Sequence, residues 1–165
     1  MINGISADHI AGQFEPQRTN NFIILFPIGA QLIRKALNKF PIPKDSNPPI
    51  IINYGNEQRK VAGAARFTNA VLELVDYIDS DVLGEIEAWA DSVYEPRTGQ
   101  IGYAQNYKVN ATVKALGPDG AVSREWTLWG MFPTVVDPGQ GDMSANVDNK
   151  ISITFRVDKV FERNL

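Results

Sequence analysis

Period-two alternation is the clearest signal in the chain, and it is concentrated in the C-terminal third. Tyr107, Val109, Ala111, Val113 and Ala115 alternate with Lys108, Asn110, Thr112 and Lys114, the pattern of a strand with one buried and one wet face. Gly117-Pro118-Asp119-Gly120 then gives a strong turn signal. Ala121–Trp129 reads as the returning hairpin arm, followed by a loop from Pro133 to Asn149 that carries Pro138, Gly139 and Gly141. In the last strand Ile151, Ile153, Phe155 and Val157 alternate with Ser152, Thr154 and Arg156. Trp126 and Trp129 are an odd number of residues apart, so on one strand they face opposite ways and at most one of them enters the core.

Helical periodicity is carried by one segment. Val82, Ile86, Trp89 and Val93 fall on one face of a helix. Asp79, Ser80 and Asp81 can accept from the free amides of its first turn. Glu95-Pro96 closes the helix and Arg97-Thr98-Gly99 turns the chain. Upstream, Thr19–Phe26 is a strand stopped by Pro27 and Gly29, and Ala70–Tyr77 is a second, rich in β-branched residues. Gln31–Phe40 has helical spacing at Leu32, Ile33, Ala36, Leu37 and Phe40, with a strand as the alternative given its β neighbours.

Residues 41–66 are different in kind. Pro41, Pro43, Pro48 and Pro49 exclude helix. Ile50–Asn53, the turn Tyr54-Gly55-Asn56 and the arm Arg59–Ala65 form a hairpin within residues 48–66. Its small side chains in VAGAA leave it little to pack against, so it is expected to need a partner surface and to bridge subunits. Residues 1–18 read as an irregular arm able to dock on a neighbour. Strands before and after a single helix predict a mainly β domain spanning residues 1–165, an antiparallel sandwich or barrel with the helix at its side.

Composition narrows the chemistry. The 165 residues include no cysteine and one histidine, His9. This excludes disulfides, thiolate catalysis and the usual zinc ligand sets, and it fits folding in a reducing cytosol. A formal net charge of −3 is no footprint for tight nucleic-acid binding. No apolar run is long enough to span a bilayer, and Met1–Gln13 lacks the features of a signal peptide. The acidic set Asp76, Asp79, Asp81, Glu85 and Glu87 lacks the order of a calcium loop and reads as helix capping plus a solvated face. Gly139-Gln140-Gly141 lacks the third glycine or Lys-Ser/Thr pair of a phosphate cradle. No catalytic, cofactor-binding or metal-ligating set emerges, so a structural protein is expected and not an enzyme. The tryptophans keep open core packing, an interface, or a ligand-stacking platform in a monomeric carbohydrate-binding β-sandwich.

From Leu74 onward the sequence resembles tail tube proteins of contractile-tailed bacteriophages. The resemblance rests on EIEAWADSVYEPRTGQIG (Glu85–Gly102), YKVNATVKALGPDGAVSREWTLWGMFP (Tyr107–Pro133) and NKISITFRVDKV (Asn149–Val160). Trp129-Gly130-Met131-Phe132-Pro133 is its most telling phrase. The resemblance implies hexameric rings stacked into a hollow tube inside a contractile sheath, assembled in the bacterial cytoplasm and incorporated in the virion. It implies tail sheath, baseplate and terminator proteins as partners, with DNA only in transit through the lumen. Phe14, Arg18, Tyr54, Arg59 and Trp129 are then candidate assembly contacts, and Glu85, Glu87 and Asp91 a candidate sheath-facing side of the helix. A tube initiator of the same fold and the tube of a bacterial injection system remain alternatives.

Overall fold

The computed structural model describes residues 16–27 and 36–163 of the chain. The elements in order are β1 (Phe22–Leu25), β2 (Leu37–Lys39), β3 (Asp45–Ser46), β4 (Pro49–Tyr54), β5 (Glu57–Ala62), β6 (Arg66–Phe67) and β7 (Ala70–Val75). Helix α1 (Val82–Val93), β8 (Tyr94–Glu95), β9 (Gln100–Ile101) and the short helix α2 (Ala104–Tyr107) follow. The chain ends in β10 (Val109–Leu116), β11 (Val122–Asp137), β12 (Lys150–Arg156) and β13 (Lys159–Arg163).

Seven strands form one antiparallel sheet in the order β1-β10-β11-β12-β7-β2, with β13 also paired to β11. The 16-residue β11 is the element that organises it. Its first half lies between β10 and β13, through pairs such as Thr112↔Thr127 and Thr127↔Phe161. Its second half leaves both and pairs with β12, as in Val136↔Ile153. The sheet therefore turns a corner along a single strand, and the two halves face each other across one core.

The corner is built at Gly130, whose φ of +66° is closed to most side chains. Its N–H donates to Asn110 Oδ1 at 3.0 Å, and a β-carbon there would press on the Asp158 carboxylate. Lys108 Nζ holds that carboxylate at 2.7 Å, so it has little room to yield. Gly130→Ala is expected to cost about 1–3 kcal/mol in urea unfolding. An unchanged midpoint would show that the corner tolerates a side chain. Ending this strand at Trp129, with a loop from Pro133, is thus corrected. The glycine bends the strand without ending it, and Pro133 sits at a register shift where a missing N–H is tolerated. The loop begins only after Asp137.

Alternation is confirmed where it was strong. Ala111, Val113 and Ala115 of β10 and Ile151, Ile153 and Phe155 of β12 are buried, while Lys114 and Ser152 face outward. They join Leu72 and Leu74 of β7 and Leu128 and Met131 of β11 in one apolar core. Helix α1 closes that core with Val82, Ile86 and Trp89. Asp81 is its N-cap, accepting from the Gly84 N–H at 3.0 Å. Asp81→Ala is expected to cost about 1 kcal/mol, read as a lower thermal midpoint, and an equal midpoint would refute the capping role.

Residues 31–35 of the ambiguous segment lie outside the described residues. Leu37–Lys39 is an edge strand against β7, so there the sheet overrides helical spacing. Strand β13 was not expected; its sequence KVFER has no clean alternation. Residues 1–15 of the arm, Phe14 and His9 among them, lie outside the described residues. Where the arm enters the fold, Gln17 Nε2 donates to Leu116 O at 2.8 Å and Ser123 Oγ donates to Gln17 Oε1 at 2.7 Å.

Candidate assembly interface

Strands β4 and β5 form a ribbon whose twelve residues are all exposed. The sequence explains why it forms: Pro49 and Ala62 face each other at its base, and Gly55, at φ +61°, makes the two-residue turn. It does not explain the composition unless something covers it. Cross-strand pairing puts Ile50 opposite Val61, Ile52 opposite Arg59, and Tyr54 opposite Glu57 on one face. Ile51 opposite Lys60 and Asn53 opposite Gln58 lie on the other. The result is an apolar base and a charged tip, with Tyr54 77% exposed. A lone two-stranded ribbon is at best marginal in water, and three consecutive exposed isoleucines on it are an interface signature.

A second exposed apolar set lies at one end of the sheet. The loop after β7 carries Tyr77 and Ile78, and the loop between β11 and β12 carries Met143 and Val147, all exposed. The two loops are tied together. The Asp76 N–H donates to Asn149 O at 3.0 Å, and Asn149 Nδ2 donates to Asp76 Oδ2 at 3.3 Å. Asp142 in the second loop accepts from Ser144 Oγ at 2.7 Å and from the Ser144 N–H at 2.9 Å. The hydroxyl first, and then the amide, hold its carboxyl below the usual range, so it is charged at neutral pH.

Trp129 is 54% exposed and lies beside Phe161 of β13, with ring centroids 6.1 Å apart. Trp126 faces the other way and packs against the core, as the odd spacing requires. Arg18 is exposed at the root of the arm. Glu85, Glu87 and Asp91 are exposed on α1, Glu87 and Asp91 opposite its buried stripe and Glu85 at its flank. These side chains do not converge on one site: Tyr54 and Arg59 share the ribbon, while Trp129, Arg18 and the α1 acids lie on separate elements. Among the described residues, no cluster of three histidine, aspartate or glutamate side chains could hold a metal ion. No described helix is long and apolar enough to cross a membrane.

No family model and no curated protein matches the sequence. Solved structures do match. A chain of the PVC sheath/tube terminator, from an extracellular contractile injection system in its extended state, superposes with a TM-score of 0.72 at 19% identity, covering 92% of this chain and 99% of its own. A chain of the anti-feeding prophage baseplate gives 0.70 at 14% identity, covering 92% and 97%. A chain of the PVC sheath–tube complex gives 0.65 at 20% identity, covering 98% and 100%. This is the tail tube fold.

On this fold, the ribbon and the two loops leave large apolar side chains exposed among the described residues. Sequence reasoning found the ribbon from its turn residues and its poverty of packing partners. It missed Ile78, Met143 and Val147. Their signal was a large apolar residue isolated in a polar turn, as in Asp76-Tyr77-Ile78-Asp79 and Asp142-Met143-Ser144.

Proposed function

We propose that this chain is the repeating subunit of a hollow tube in a contractile tail-like machine, six copies closing each ring and rings stacking along the axis. The observation that carries the reading is the fully exposed, isoleucine-rich ribbon on a tube fold. Strands β1, β2 and β13 each pair on one side only among the described residues, and ring closure would cover such edges with a neighbour's backbone. Tyr54, Arg59, Arg18, Phe14 and Trp129 are the proposed contacts between copies, and Glu85, Glu87 and Asp91 the proposed face toward the sheath. Baseplate and terminator proteins are the proposed partners at the tube ends.

In a phage the tube would carry the genome at ejection. A chain of net charge −3 suits that passage, because a lumen that held phosphate would slow it. In an injection system the same tube would carry another cargo. A second reading is a terminator or initiator ring of the same fold, since chains of a sheath/tube terminator and of a baseplate are among the structures this chain resembles. Light scattering of the purified chain tests ring formation. Six copies of 18.3 kDa give about 110 kDa, the mass expected for a ring. Heavier species are expected of a repeating subunit, and a ring that grows no further of a terminator. A mass of one chain at every concentration would contradict both.

A further inference from the structure

Resting on the tube reading, we infer that copies within one ring meet through two aromatic patches. The short β8–β9 hairpin at the end of α1, with Tyr94, Ile101 and Tyr103, docks on the outward face of β11 and β13 of the next copy, with Trp129 and Phe161. Ile101 and Tyr103 are 79% and 77% exposed, and the other three side chains are exposed as well. Each patch is held rigid on its own element. The hairpin closes on the end of α1, where the Gly102 N–H donates to Val93 O at 3.0 Å and a β-carbon at Gly102 would press on Ser92 O. Tyr94 pairs with Ile101 across it, and Gly99, at φ +71°, lies in its turn. On the other patch Trp129 lies beside Phe161, and the Asp158 N–H donates to Trp129 O at 2.9 Å. Aromatic side chains fixed before contact lose little freedom on binding, which suits them as anchors.

One copy cannot join its own two patches. The buried stripe of α1 packs into the core with Leu128 of β11, whereas Trp129 and Phe161 stand on the opposite face of that part of the sheet, since Phe161 pairs with Thr127 and Lys159 with Trp129. Charge then fixes which patch meets which. Asp91 and Glu95 border the hairpin patch, and Arg97 is the one base between Arg66 and Lys108. On the other face Lys114 is matched by Glu125 at 3.4 Å, so Lys159 and Arg163, which share the outward side of β13 with Phe161, make that patch basic. Like patches repel and unlike ones attract, so the contact runs head to tail, the form that closes into a ring.

The chain has no cysteine, so engineered pairs report this contact without background. I101C or Y103C is combined in one chain with W129C or F161C, giving four variants, each oxidised after assembly; a disulfide needs the two Cα atoms within about 7 Å. At least one variant is expected to give a ladder of up to six linked chains on a non-reducing gel, collapsing to one chain on reduction. Chains with a single cysteine are expected to stay unlinked, and an equal mixture of the two matching single-cysteine chains to stop at two. Rings that give no ladder with any of the four variants would overturn the contact and leave the tube reading standing. Linking of a single-cysteine chain to itself would overturn its head-to-tail form. An unsubstituted chain that makes no ring would overturn the tube reading and the contact with it. As a second test, I101S with Y103S should raise the concentration needed for rings at least about 100-fold while leaving the urea midpoint unchanged. Rings from that variant at the natural concentration would also overturn the contact.

Discussion

Replacing Ile50, Ile52 and Tyr54 together with serine is expected to abolish tube growth while leaving the fold almost as stable as before. All three side chains are exposed on a ribbon whose twelve residues are left uncovered among the described residues. Surface substitutions away from caps and cores usually change stability by no more than about 0.5 kcal/mol. The same side chains, if central to a contact between copies, are worth about 2 kcal/mol or more each. Even partly additive, that raises the concentration for assembly by more than about 1,000-fold. Sedimentation of assembled material and the urea midpoint of the dissociated chain read the two effects separately. Normal assembly would remove the ribbon from the interface, and a large fall in the midpoint would mean that the ribbon belongs to the core.

Trp89→Ala is expected to have the opposite signature, a loss of fold before any question of assembly. Trp89 is buried on α1 and meets Phe26 edge-on, with ring centroids 5.2 Å apart. Its indole N–H donates to Tyr107 O at 2.8 Å, fastening α1 to the chain just before β10. Truncation leaves a large cavity and an unpaired carbonyl, together about 3–5 kcal/mol. Against a total stability of about 5–15 kcal/mol, much of the chain would unfold at 37 °C. Trp89→Phe should cost distinctly less, since it keeps most of the volume and loses only the hydrogen bond. A Trp89→Ala chain with an unshifted urea midpoint would contradict this account of the core.

How much of this the sequence disclosed depends on whether local pattern or distant pairing decided each element. Strands β10 and β12 and helix α1 were legible because each buries one side along its length, and alternation or a helical stripe follows directly. The ribbon was legible from Gly55 and its prolines, which dictate backbone shape with no help from the fold. The second half of β11 was not, because Gly130 and Pro133 normally break strands and here bend one around a corner that exists only once β12 and Asp158 are in place. Edge strand β13 was hidden for a similar reason, since KVFER has no period, while at Leu37–Lys39 the spacing left helix and strand both open; both are extended only because β7 and β11 offer free backbone. The loops after β7 and β11 show no periodicity, so the Asp76–Asn149 tie that joins them emerges only from the structure.

The central claim is that this chain builds a tube by itself, and negative-stain electron microscopy of the purified chain tests it most directly. Hollow filaments of even width, with end views of six-fold rings, are the predicted result. Uniform single-chain particles, with no ring or filament at any concentration, would contradict it.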